Sequence, residues 1–135
     1  MTTEQEMADR VRRALAGRSD VRVAVLFGSQ ARGTAGPGAD VDVAVDAPDV
    51  DLLDLGAMLS MALDREVDVV DLEEATIPLL ERLVSEGIVV HEGYRAAGAL
   101  WRSRTLATLE TDRPWYARMR DAWLTRVREK GFARG

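Results

Sequence analysis

The chain has 135 residues, which suits one domain with a small appendage. Hydrophobic residues make up 47% of it, too many for a disordered chain, and the lack of cysteine excludes disulfides and thiolate metal sites. Charge is unevenly divided: residues 1–93 hold 8 basic and 19 acidic side chains and residues 94–135 hold 10 and 4, which predicts two parts with different neighbours.

In chain order, Thr3 with Glu6 is a capping-box pair, and Met7, Val11, Ala14 and Leu15 fall on one helical face. A first helix over about Glu4 to Ala16 follows, stopped by Gly17, with the task of covering a sheet. Val21, Val23, Val25 and Phe27 then alternate with Arg22, Ala24 and Leu26 and the run ends at Gly28-Ser29, the pattern of a strand running into a turn. A glycine there lets a triphosphate approach the backbone, and a serine at a strand-to-helix turn adds a hydroxyl to amides that favour anions. Arg32 is near enough in sequence to offer a phosphate its fork of donors. Gly33, Gly36, Pro37 and Gly38 return the chain through a helix-breaking loop.

Asp40-Val41-Asp42 heads a second strand. Val41, Val43 and Val45 point one way, and Asp40, Asp42 and Ala44 the other. The two carboxylates share a face about 7 Å apart at the backbone. Oxygen ligands so placed suit Mg²⁺, and without a cation their repulsion raises a pKa. Pro48 breaks the chain, Asp49 or Asp51 caps a helix bearing Leu52, Leu55, Leu59 and Leu63, and Met58 and Met61 read as core filling. A third strand, Glu66 to Asp71, places Asp68 between valines, where a charge is costly without a partner. Asp68 is therefore preferred as third carboxylate over Glu66 and Asp71.

Glu73, Glu74 and Thr76 lead a further helix with Pro78 in its first turn and the stripe Leu79, Leu80, Leu83 and Val84, and Gly87 ends it. Ile88 to Val90 is a short edge strand, and the single histidine, His91, reads as structural rather than as a general base. Two helices complete the chain: one over about Tyr94 to Leu109, a break at Asp112-Arg113-Pro114, and one in which Trp115, Met119, Trp123 and Val127 recur every fourth residue, widened by Tyr116 and Leu124. All three tryptophans lie in this arginine-rich part, a composition that interfaces favour. Packing on its own domain is the competing reading, and the acidic balance of the whole chain disfavours nucleic acid. No apolar run reaches the length of a membrane span and the first residues are not signal-like, so a soluble, cytoplasmic protein is expected. The expected fold is α/β: a small mixed sheet backed by helices that leave the carboxylate face open, as a domain over residues 1–93, with a basic, Trp-rich helical extension over 94–135.

Gly28-Ser29, ten residues, Asp40-Val41-Asp42 and a later strand aspartate together resemble the DNA polymerase β-like nucleotidyltransferase superfamily. The fuller stretch Gly28-Ser29-Gln30-Ala31-Arg32-Gly33 is similar to the minimal nucleotidyltransferases (MNT), the antitoxin halves of HEPN/MNT toxin–antitoxin pairs. The likeness covers roughly residues 21 to 71; Ala39 departs from it, since serine is common there in the family, but no metal ligand is lost. The resemblance implies ATP as donor, two Mg²⁺ ions held by Asp40, Asp42 and Asp68, phosphates held by Gly28, Ser29 and Arg32, and a hydroxyl acceptor, a tyrosine, on a HEPN ribonuclease toxin docked on residues 94–135. A small-molecule nucleotidyltransferase of aminoglycoside type and a non-catalytic binding antitoxin are the alternatives. The first usually needs a larger second domain, and the second has no need of three clustered carboxylates.

Overall fold

The computed structural model describes residues 3–36 and 38–130; Pro37 and the side chains of Thr3, Arg113, Tyr116 and Val127, named above, lie outside the described residues. The elements are α1 (Thr3–Leu15), β1 (Val23–Phe27), α2 (Ser29–Arg32), β2 (Val41–Asp46), α3 (Leu52–Leu63), β3 (Val67–Asp71), a 3₁₀ turn (Leu72–Glu74), α4 (Ile77–Glu86), β4 (Ile88–Glu92) and α5 (Ala97–Lys130). The strands lie in the order β3-β2-β1-β4. β1 pairs antiparallel with β2 and with β4, whereas β2 and β3 are parallel. Parallel neighbours need a crossover, and α3 supplies it.

Local chemistry sets the element ends. Asp51 caps α3 by accepting the amides of Leu53 at 2.9 Å and Asp54 at 3.3 Å. Thr76 does the same for α4, accepting from Leu79. Glu92 accepts the amide of Gly98 at 2.8 Å, satisfying a first-turn donor of α5. Arg10 donates to the carbonyl of Leu63 and Arg102 to that of Val84, both at 2.6 Å, so α1 is tied to the end of α3 and α5 to the end of α4.

Helices cover both faces of the sheet, not one as the sequence suggested. On the first face, Met7, Val11 and Leu15 of α1 and Leu55, Leu59 and Leu63 of α3 bury Ala24, Leu26, Val41, Val43 and Val45. On the second, Leu83 of α4 and Ala97 of α5 bury Val23, Val25, Phe27 and Ala44. β1 is apolar at every position because it is central, and the two-sided cover follows from that. The end of the second face beyond Ala44 stays open, and Asp42 lies there, half-buried.

Three further expectations are corrected. Met61 is 86% exposed rather than core, because it sits on the outer side of α3, away from Leu55, Leu59 and Leu63. Asp68 is exposed, since β3 is an edge strand whose second face has no helix over it at that level. The two carboxy-terminal helices are one, Ala97–Lys130, with Pro114 inside. A proline frees the carbonyl four residues earlier, here that of Glu110, which is exposed and can be hydrated. The first turns of α5 belong to the second core through Ala97 and Trp101, and Leu109 further along the helix is buried as well. Among the described residues no helix is long and apolar enough to cross a membrane.

Leu83 is fully buried and holds α4 over the sheet. Leu83→Ala should cost about 2–5 kcal/mol, read as a lowered urea midpoint at unchanged slope. A loss below about 1 kcal/mol would mean that the second face is not a packed core.

Candidate functional site

β1 runs toward Gly28, and both β2 and β3 start at that same end. The register places Phe27 opposite Asp42 and Asp42 beside Asp68, so one row across the sheet reads Phe27, Asp42, Asp68. Neighbouring strands lie about 4.8 Å apart, which sets two carboxylates side by side. Asp40 precedes Asp42 by two residues and is exposed. Asp71 is occupied elsewhere, accepting the amide of Glu73 at 2.9 Å. The structure thus brings Asp40, Asp42 and Asp68 to one strand end and excludes Asp71.

Gly28 closes against this row. Its backbone, at φ 75° and ψ −153°, is one that glycine alone adopts readily. A Cβ there would stand 2.6 Å from Oδ2 of Asp42. Bare backbone and carboxylate can be this close only because the side chain is a hydrogen atom. α2 begins at Ser29, which is half-buried, and Gly33 ends it in the left-handed conformation. Gln30, whose role the sequence did not reveal, is buried and donates to the carbonyls of Ala39 at 3.2 Å and Asp40 at 3.4 Å. It fastens the returning loop, and hence Asp40, to the turn that carries Ser29.

Electrostatics single out Asp42. Its pKa is raised, first by burial, then by the charges of Asp68 and Asp40, and is pulled back by Arg82 and Arg32. Arg32 reaches across to Glu86 of α4 at 3.2 Å. Arg82, one helical turn before Glu86, shares that side of α4 and is exposed. Sequence reading missed it because nothing near residue 82 resembles a phosphate motif; only the fold of α4 over β1 brings it to Asp42. His91 is structural as expected: Nε2 lies 2.7 Å from the carbonyl of Arg18, on the edge strand β4, with β1 and β2 between it and Asp68.

The donor set fits a hard divalent cation. It consists of carboxylate oxygens, and a cation would offset the burial and relieve the repulsion by Asp68 and Asp40 that together raise the Asp42 pKa. Among the described residues no three acidic or histidine side chains are already gathered as one ligand shell. Asp42 and Asp68, in register, with Asp40 before them, are the residues that would hold one.

Residues 9–95 match the family described as Polymerase beta, Nucleotidyltransferase. Over 66 residues, 46% of this chain, the sequence is 39% identical to the protein adenylyltransferase MntA of Shewanella oneidensis, and the match spans 48% of that protein, about half its length. Among solved structures, a toxin–antitoxin complex with AMP-PNP is similar with a TM-score of 0.66 and 26% identity, over 86% of this chain and 98% of that one. The MNT antitoxin complex of the tri-AMPylated Shewanella oneidensis HEPN toxin gives 0.57 and 25%, over 90% and 96%.

The raised pKa of Asp42 has a consequence for stability. A carboxyl that binds its proton more tightly when folded stabilises the fold fully below its ordinary pKa of 3.8, and that contribution is lost as pH rises through the raised value. Asp42→Asn should therefore raise the thermal midpoint of the metal-free protein at pH 7, and the gain should disappear below pH 3.8. A midpoint that does not rise at pH 7 would contradict the burial of Asp42 beside Asp68 and Asp40.

Proposed function

The chain belongs to the polymerase β nucleotidyltransferase family, and on that premise we propose that it is an antitoxin enzyme which transfers AMP from ATP to a tyrosine hydroxyl of a cognate HEPN toxin and so silences it. The observation that carries this reading is the row Phe27, Asp42, Asp68 closed at one end by Gly28-Ser29. It is supported by the name of the adenylyltransferase relative and by the AMP-PNP and AMPylated-toxin complexes among the structural neighbours.

In this reading the hydroxyl oxygen of the acceptor attacks the α-phosphorus of ATP, and pyrophosphate leaves. Ser29 and the amides that open α2 hold the outer phosphates, helped by Arg82 and by Arg32 released from Glu86. Asp40 and Asp42 would hold Mg²⁺, two ions in this reading, with Asp68 as the third carboxylate, and the bound metal would supply charge neutralisation at the reacting phosphate. Asp68, exposed at the edge of the row, is the carboxylate an incoming protein hydroxyl meets first and accepts its proton. Rate enhancement then comes chiefly from positioning and charge neutralisation.

Residues 94–135 are the proposed docking part for the toxin. Beyond Leu109, α5 exposes Trp115 at 57%, Met119 at 49% and Trp123 at 49%, the residue types that anchor protein interfaces. The cytoplasm, where thiol-free proteins lose nothing to a reducing environment, is the proposed location.

The test is to incubate the protein with labelled ATP, Mg²⁺ and the product of the adjacent gene. Label is expected on the neighbour's protein, and Asp40→Asn or Asp42→Asn should each lower transfer about 10³-fold or more while the mutant stays folded. Label only on added small molecules would favour the aminoglycoside-type alternative, and a tight complex without label the binding antitoxin. A separate measurement concerns Arg82: Arg82→Gln should raise KM for ATP about tenfold and leave KM for the acceptor protein unchanged, as expected for one lost charge-assisted phosphate contact. An unchanged KM for ATP would remove Arg82 from the phosphate site.

A further inference from the structure

β3 is an edge strand, with β2 on one side of it. The amide of Val41 donates to the carbonyl of Glu66 at 2.9 Å, which fixes the way β3 faces. Backbone groups alternate along a strand, so those of Asp68 and Val70 also turn to β2, and those of Val67 and Val69 turn outward. Ser60 of α3 answers the outward amide of Val67 at 3.2 Å. Among the described residues nothing answers the amide or the carbonyl of Val69. A groove of about 320 Å³ runs along this edge between β3 and α3, with Leu53, Gly56 and Ala57 on its helix side. Leu53 is 85% exposed, and Leu53, Ala57 and Met61 recur every fourth residue as an apolar strip open to solvent. Unpaired backbone beside exposed apolar side chains is the surface that an added strand covers.

We propose that the outer edge of β3 takes the acceptor segment of the partner protein as an added strand, an extended and basic stretch that carries the tyrosine. This rests on the transfer reaction proposed above and says how its acceptor is presented. Register is the first reason. Asp42 and Asp68 are partners across β2 and β3, and a residue set opposite Asp68 on an added strand shares their face. A tyrosine there stands about 4.8 Å from Asp68 at the backbone, its ring raised off the sheet beside the carboxylates. The second reason is the other face. The residues flanking the tyrosine turn toward Leu53 and Ala57, and apolar side chains fill that side of the groove. Charge is the third. Residues 49–74, which hold α3, β3 and the turns around them, carry nine acidic side chains and one basic, Arg65. Such a field attracts a basic segment and sets two copies of this edge against each other. α5 then holds the body of the partner, and the β3 edge holds the segment to be modified.

The probe is the capped peptide Arg-Val-Arg-Val-Tyr-Val-Arg-Val-Arg, titrated without ATP into the full chain labelled with ¹⁵N. The Val69 amide should shift saturably with a Kd of about 1 mM and its hydrogen exchange should slow, while the amides of β4, the opposite edge, stay as they were. N-methylation of the tyrosine and of the two valines beside it removes donors that pair with β3 and should weaken binding about tenfold or more. Glutamate in place of every arginine should abolish it. Leu53→Asp, at an exposed position, should weaken peptide binding and raise KM for the acceptor protein, each about fivefold, and leave KM for ATP unchanged. The proposal is overturned by no saturable shift of Val69 at about 10 mM peptide, by equal affinity for the N-methylated or the glutamate peptide, or by an unchanged KM for the acceptor in Leu53→Asp. Protection of Val69 that grows with the concentration of the peptide-free chain would overturn it too, since the occupant would then be a second copy. Failure of the transfer reaction shows separately, as no label on the neighbour's protein from the parent chain, and the peptide measurements decide the edge whether or not that label appears.

Discussion

Everything at the open end of the sheet depends on holding like charges together. Asp42 and Asp68 are direct neighbours across a parallel strand pair, Asp40 is two residues away, and Gly28 leaves no room for a side chain against Asp42. No local preference of the backbone favours this. It is imposed by the cores on both faces. Val41, Val43 and Val45 are fully buried, so a slip of β2 by one residue would turn all three to the opposite face and drive Asp42 into the first core. The apolar side chains fix the register, and the register fixes the carboxylates. α3 serves the same end: its 12 residues span about 18 Å, the length needed to return the chain from the end of β2 to the start of a parallel β3.

Much of this was legible in the sequence because the governing signals are short-range. Alternation along β2 and β3 gave the shared face and the glycine after β1 gave the turn; of Asp49 and Asp51 it is Asp51 that caps α3, and of Glu73, Glu74 and Thr76 it is Thr76 that caps α4, the two glutamates lying in the 3₁₀ turn before it. The preference for Asp68 over Asp71 rested on position within a strand, and the structure gives a second reason, since Asp71 is spent on the amide of Glu73. The argument from burial was the weaker half: Asp68 is exposed, and its importance comes from its neighbour Asp42 rather than from a costly interior position.

What the sequence hid is long-range. Arg82 comes near enough for its charge to act on Asp42, Arg32 meets Glu86 and Gln30 clasps Ala39 and Asp40 only after strands have paired and α4 has folded over β1. No window around residue 82 or 86 contains that information. The unbroken α5 was hidden for a different reason. Asp112-Arg113-Pro114 satisfies the local criterion for a helix break, but the cost of a proline depends on whether the carbonyl it frees is stranded, and here Glu110 faces water.

α4 is where the two ends of the molecule meet. One side of it presents Arg82 and Glu86 toward the carboxylate row. Another buries Leu83 against Phe27, Val25 and Ala44, and its last turn receives Arg102 of α5 at the carbonyl of Val84. A helix of 10 residues fixed by a buried leucine and by a charged donor at its end has little freedom to slide. The cations that face Asp42 are therefore placed by the same contacts that seat the base of α5. The outer turns of α5 thus extend from a root that is packed beside the wall of the site.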